Sequence, residues 1–388
     1  MNRPRVAILS RYFWPYRCEN TGWLADLAVE LLRYECNPTV VTARWDVDGP
    51  SKIVFRNVPV HRIAPPPTGS WTTIGYLRQV DTWLNQHLDE FDVVYALTLR
   101  EDAYAVLGAV RRTKIPVVLR VENEGLQGDC HWQRTSPWGK RIRRRRLSAN
   151  AFVVSTPGQI EELTANGYPP DRYFLIRPGV KLRPTKTAKQ RFDIRSAMKS
   201  ASSELATSAQ FPIILSIGQT RSNGGVKNLI SAWTTLIQCY PNAQLWLIGH
   251  GDNRHQILAE IEQSDVAGSV KVPGKFDTLE DLLDAANLLI LPEPNISSVS
   301  LIAQAMSAGL PLIATDCPLH RNVIEHNQTG LLLQDFNPYT LTNAIAQLLD
   351  QPAMATRLGS TARDECQRRF SLDTAAQLHK EMFTSLLS

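Results

Sequence analysis

Residues 288–314 constrain the fold more tightly than any other stretch, because they read as a complete strand, helix, strand unit. The apolar run Leu288-Leu289-Ile290-Leu291 stops at Pro292, a polar loop of small residues follows, and a helical pattern starts near Ser298 to Ser300. Gly309 and Pro311 end that helix and open a second apolar run, Leu312-Ile313-Ala314. Short continuous apolar strands joined through a helix pair in parallel and are buried on both faces. The first backbone N–H groups of the helix then lie at the carboxyl end of the first strand, where α/β sheets bind phosphates. Ser297, Ser298 and Ser300 are small enough to let a ligand approach the backbone. On local chemistry alone, an ordinary core connection fits equally well.

The same alternation runs through the whole chain, which predicts parallel βαβ units. Strands are expected at residues 6–10, 39–42, 58–61, 93–96, 116–121 and 151–155, with helices at 23–34, 71–87, 103–112 and 159–166. After a polar linker over 181–210, with a weak helix at 192–202, a second series follows. Its strands are expected at 213–217, 244–248, 270–272, 288–291, 312–314 and 330–333, and its helices at 227–237, 254–264, 279–286 and 339–349. A last helix spans 373–387. At 388 residues the chain exceeds what one core usually supports, so two domains are expected. An apolar content of 43% and a charged content of 20% are those of a soluble globular protein, and no apolar stretch reaches the ~20 residues that span a bilayer. The start, Arg3-Pro4-Arg5-Val6-Ala7-Ile8-Leu9, reads as a first strand and not as a signal peptide, which implies a cytoplasmic protein. Six scattered cysteines without metal-ligand spacing predict free thiols and no metal.

The net charge of +5 is mild, but Lys140, Arg141, Arg143, Arg144, Arg145 and Arg146 fall within one short run. It could touch anionic lipid at the inner membrane face, or an anionic acceptor. A solvated helix face is the slightly better reading, since Ile142 and Leu147 are few apolar residues for membrane burial. Nucleic-acid binding lacks any accompanying motif.

Five motifs in order then carry a resemblance. Leu215-Ser216-Ile217-Gly218-Gln219 ends a strand in glycine. Gly224-Gly225-Val226-Lys227-Asn228-Leu229-Ile230-Ser231-Ala232-Trp233 opens a helix. Leu247-Ile248-Gly249-His250-Gly251 and Pro273-Gly274-Lys275-Phe276 end further strands, and Ala305-Met306-Ser307-Ala308-Gly309-Leu310-Pro311-Leu312 closes the unit described first. Together with Thr329-Gly330-Leu331-Leu332, this order resembles the retaining GT-B glycosyltransferases of family 4 over almost the whole chain. The resemblance implies an α/β GT-B fold of two Rossmann-like domains facing a cleft. Residues 1–180 would bind the acceptor and 181–370 the nucleotide sugar, and 371–388 would form a helix crossing back to the first domain. Doubly wound dehydrogenases are disfavoured, because no G-x-G-x-x-G follows the first strand.

The resemblance also implies a chemistry: a hexose passes from a nucleoside-diphosphate sugar to a glycan or glycolipid with the anomeric configuration retained, in envelope or exopolysaccharide synthesis. The departing diphosphate helps to deprotonate the acceptor, and neither cofactor nor metal is needed. Donor contacts are expected from Gly218, Gln219, Arg221, Lys227, Gly249, Gly274, Lys275, Phe276, Glu293, Ser297, Ser298, Ser300, Leu301 and Gln304. Gln219 and Gly224 stand where the family carries Arg and Lys, so Arg221 and Lys227 are candidates for the diphosphate. Ile296 and Gln304 stand at the family's two acidic positions. Gln304 still accepts a ribose hydroxyl, at a cost of ~1 kcal/mol, whereas Ile296 cannot replace an acid, and Glu293 or the backbone of Ser297 and Ser298 would hold the sugar. On the acceptor side, Arg17, Gly22, Glu122 and Glu124 are candidates, while His131, His250 and His320 read as hydrogen-bonded surface residues. The four altered positions leave a second reading open, a GT-B protein that binds nucleotide or a partner without turnover.

Overall fold

In the computed structural model the described residues are 3–388, without 16–21, 47, 138, 202–204, 206–207, 209, 219–223, 250–253, 275, 277 and 294–297. Two units form, residues 1–180 with 370–388 (unit 1) and residues 181–369 (unit 2).

In unit 1, β1 (Arg5–Leu9), β2 (Asn37–Ala43), β3 (Lys52–Phe55), β4 (Val58–Ala64), β5 (Val93–Ala96), β6 (Val117–Arg120), β7 (Ala151–Val154) and β8 (Tyr173–Leu175) make one sheet, ordered β3-β4-β2-β1-β5-β6-β7-β8. Every pair is parallel except β3–β4. That hairpin turns through Arg56 and Asn57, both with positive φ, as a tight two-residue turn matched to strand twist requires. Successive strand residues point to opposite faces. Ala7, Leu9, Val94 and Leu119 pack with Tyr76 and Val80 of helix Ser70–His87 and Val106 of helix Glu101–Ala109. Val6, Ile8, Val93 and Val118 pack with Leu27 and Leu31 of helix Leu24–Arg33 and Ala376 and Phe383 of helix Leu372–Leu387. The last helix therefore completes the core of unit 1. Gly179 makes this possible, because a Cβ there would stand 2.7 Å from Leu372 Cα. The outgoing and returning segments also pair directly, Val180 N–H donating to Phe370 O at 2.8 Å.

The helix buries His379 completely. Nδ1 lies 2.6 Å from Ala375 O, which can only accept, so Nδ1 carries the proton and Nε2 accepts from the Tyr95 hydroxyl at 3.2 Å. Burial, with Arg120 adding to it, pushes the His379 pKa down to about 3. The folded form thus stays neutral at acid pH where the unfolded chain, titrating near 6.5, takes up a proton. Stability is full above pH ~6.5 and falls as pH drops toward about 3. Urea unfolding of unit 1 should show about 2 kcal/mol less stability at pH 5 than at pH 7.5 from this group, and His379→Gln should flatten that slope. An unchanged slope in the variant would refute the assignment.

In unit 2, β9 (Ile213–Ile217), β10 (Gln244–Ile248), β11 (Val270–Gly274), β12 (Leu288–Leu291), β13 (Leu312–Thr315) and β14 (Leu331–Leu333) form a wholly parallel sheet ordered β11-β10-β9-β12-β13-β14. The chain runs outward from β9 to one edge and then returns to β12 on the other side of β9. That reversal makes the β9/β12 boundary a topological switch point, where open α/β sheets bind ligands at their carboxyl ends. In unit 1 the equivalent boundary lies between β1 and β5. No helix among the described residues is long and apolar enough to cross a membrane.

Candidate functional site

At the carboxyl end of the unit 2 sheet, three strands finish on glycine steps that lock together. Gly218 N–H donates to Ile248 O and Gly249 N–H donates to Gly274 O, both at 3.0 Å. Gly249 is obligatory here, since a Cβ would lie 1.7 Å from Gly218 O. Gly274 has φ +95° and open space around it, and Phe276 follows half-buried. The result is a shelf of bare backbone beside the switch point.

Across that boundary, Glu293 follows β12 and reaches the start of helix Gly225–Cys239. Its Oε1 accepts from Gly225 N–H at 3.1 Å and from Val226 N–H at 3.4 Å. A carboxylate at a helix N-terminus neutralises the positive end of the dipole and supplies an acceptor for orphan donors. Lys227, in the first turn of the same helix, is exposed and pairs with Glu260 at 3.3 Å.

Helix Val299–Ser307 starts on Ser298, whose Oγ accepts from Leu301 N–H at 3.1 Å. Ser300 is buried and its Oγ accepts from Gln304 Nε2 at 3.2 Å. The Gln304 amide oxygen is thereby left as the acceptor end. Leu301 is buried in the core, so its side chain contributes packing. Gln219, Arg221, Lys275, Ile296, Ser297, His250 and, in unit 1, Arg17 lie outside the described residues.

His320 differs from the expectation of a surface residue. It is fully buried, bonded through Nδ1 to Thr315 O at 2.6 Å, and burial lowers its pKa. The short helix Pro318–Arg321 folds it back under β13, a placement that one exposed-looking Pro-Leu-His-Arg run does not signal.

The carboxyl edge of the unit 1 sheet carries a polar network. Arg11, after β1, pairs with Asp102 at 3.0 Å and Glu101 at 2.8 Å. Asp129 is wholly buried and accepts from Arg100 Nε at 2.8 Å, Glu122 N–H at 3.0 Å and Leu99 N–H at 3.2 Å, which ties the loops after β5 and β6 together. Glu124 accepts from the Thr156 hydroxyl at 2.6 Å, and burial raises its carboxyl pKa. Gly22 lies in the turn before helix Leu24–Arg33. The sequence offers Glu122 and Glu124 as candidates and does not signal Arg100 or the anchoring role of Asp129. The acidic, glycine-punctuated run 122–129 was the only available signal, and it does not say which carboxylate turns inward.

The family model for glycosyl transferases group 1 matches residues 199–365, and that for the glycosyl transferase 4-like domain matches residues 24–179. A D-inositol 3-phosphate glycosyltransferase of Xylanimonas cellulosilytica is 27% identical over 285 residues, 69% of this chain and 66% of the relative. Against other curated bacterial relatives, the matched segment spans about half of their length. Among solved structures, a sucrose-phosphate synthase from Thermosynechococcus elongatus superposes with a TM-score of 0.78 at 19% identity, over 99% of this chain and 100% of that one. HepE of Anabaena, solved with UDP and glucose, gives 0.78 at 18% identity over 99% and 100%. These last two likenesses show the fold, and with the two family models they place this chain among the GT-B glycosyltransferases of group 1.

Proposed function

We propose that unit 2 binds a nucleoside-diphosphate sugar at the carboxyl end of its sheet, and that the protein transfers the hexose, with retention, to a hydroxyl of a glycan or glycolipid in envelope or exopolysaccharide synthesis. The observation that carries this reading is the glycine shelf Gly218, Gly249 and Gly274 beside the switch point, where backbone is bare enough for a nucleotide to lie against it. HepE, a structural neighbour, has been solved with UDP-glucose, which supports a nucleotide-sugar donor. Ser298, Ser300 and Gln304 border the start of the next helix, and Lys227 and Arg221 supply cations for the diphosphate. The acceptor would lie against unit 1 near Glu122 and Glu124. Helix Gly139–Arg145 buries Ile142 and leaves Lys140, Arg141 and Arg144 exposed, so any contact with an anionic membrane face would be electrostatic and would not insert.

A second reading has its own observation. The Glu293 carboxylate sits on the Gly225 and Val226 N–H groups that a diphosphate would otherwise use. A protein that keeps the fold and a partner surface but has closed this anion site would look the same. Thermal unfolding against UDP, GDP, ADP, TDP and CDP, followed by assay of nucleoside diphosphate released from the matching sugar donor, separates the two. One nucleotide at 100 times its dissociation constant should add ~2.7 kcal/mol and raise the midpoint by several degrees. Turnover then supports the transferase, binding without turnover supports the partner reading, and a flat panel sinks the donor site. Replacing both Arg221 and Lys227 by alanine should abolish the shift.

A further inference from the structure

Unit 2 has a cavity of about 480 Å³ at the opposite end of its sheet from the glycine shelf. Pro212, Asn287 and Pro311, which precede β9, β12 and β13, border it, and one face of helix Pro352–Arg369 closes it through Pro352, Ala355, Thr356, Ser360 and Arg363. Leu288, Leu348 and Leu349 give it an apolar floor. Its size falls within the ~300–1,000 Å³ of small-molecule sites, which are mostly apolar with a few convergent polar groups.

Two of the three charged groups here are cationic. Arg191 and Arg363 line the cavity, while Asp364, exposed on the rim, is the one acid among the lining residues. Arg363 is anchored by donating to Ser307 O. Arg191 Nε is buried and has no hydrogen-bond partner among the described residues, although a buried guanidinium nitrogen ordinarily has one. Behind the wall, one helical turn along Ala188–Ala201, Arg195 is buried and directs its donors to Ala285 O, Phe211 O and Asn287 Oδ1. Burial, with repulsion from Arg191 added, brings the Arg195 pKa down to about 10. Two like charges are thus held close, with Arg191 on the cavity wall and Arg195 behind it.

We propose that this cavity binds a small organic anion, a phosphate or carboxylate on a compact apolar body, with Arg191 as its charge partner. The anion pairs with the Arg191 guanidinium on the cavity wall and relieves the repulsion between the arginines, and the apolar body covers Leu288 and Leu349. This site is independent of the donor reading, since it lies at the amino ends of the strands and the nucleotide would lie at their carboxyl ends.

Isothermal titration of the full chain with phenyl phosphate, benzoate and inorganic phosphate tests it. Phenyl phosphate or benzoate should bind at least about tenfold more tightly than inorganic phosphate, one such factor corresponding to 1.4 kcal/mol, and the stronger of the two tells which anion the site prefers. Arg191→Met should weaken that binding at least about tenfold by removing the charge. Ala355→Phe should do the same by filling the cavity with every charge kept, and millimolar UDP should not compete. Cooperative thermal unfolding of each variant verifies that it is folded. No binding of either aromatic anion, binding that survives both substitutions, or displacement by UDP would overturn the proposal.

Discussion

Asp129→Ala should destabilise unit 1 by about 3–5 kcal/mol, the usual cost of breaking a buried charge pair by removing one partner. The carboxylate is fully buried and satisfies the Arg100 guanidinium and two backbone N–H groups from separate loops. Alanine strands all three donors, and each N–H left without an acceptor carries a desolvation penalty of about 1–3 kcal/mol. Asp129→Asn keeps one acceptor oxygen and should fall between the two. Urea unfolding at pH 7.5 measures the series. A loss under about 1 kcal/mol for the alanine variant, the size expected of a surface pair, would mean that water replaces the carboxylate and that the network does not hold these loops.

Gly249→Val should cost unit 2 about 1–3 kcal/mol, as overpacked sites do, and weaken nucleoside-diphosphate binding about 10²-fold, the scale of a 1 Å misplacement at a site. The clash is with backbone, at 1.7 Å from Gly218 O, and neither side can swing away without breaking the Gly218 to Ile248 or Gly249 to Gly274 hydrogen bond. Gly268→Ala is the matched control, because a methyl there meets nothing within 4 Å. It should stay within about 0.5 kcal/mol of the parent. If the valine variant binds the nucleotide as tightly as the parent, the glycine shelf is not where the nucleotide lies.

What could be read from sequence follows from how strongly each element announces its period. The central strands, β1, β5, β6, β9, β10 and β12, are runs of Val, Ile and Leu buried on both faces, and they appear where expected. Helix Pro352–Arg369 was not foreseen. It buries Leu358, Gly359, Ala362 and Cys366, so its core face is made of small residues with little apolar signal, and Gly359 interrupts its middle. Strand β3 is an antiparallel edge whose turn uses Arg56-Asn57 in place of the usual glycine. Strand β8 is only three residues long at the other edge. At the site, motif order located the glycine shelf and Ser298, because backbone geometry is written in glycine and cap residues. Glu293 was found as a residue but not as the occupant of a helix start, since which donors a flexible carboxylate reaches depends on an element sixty-odd positions earlier in the chain.

Unit 1 is assembled from both sides of unit 2, and this sets an order of events during synthesis. Residues Ala375, Ala376, Met382 and Phe383, which close one face of its core, are polymerised only after every residue of unit 2. Domains generally fold as units as they emerge, so unit 2 can reach its native state while Ile8, Val93 and Tyr95 of unit 1 still lack the part of their cover that the last helix supplies. A newly made chain therefore passes through a stage with one finished half and one sticky half, and a chaperone that recognises bare apolar sheet would find its target in the half that was made first.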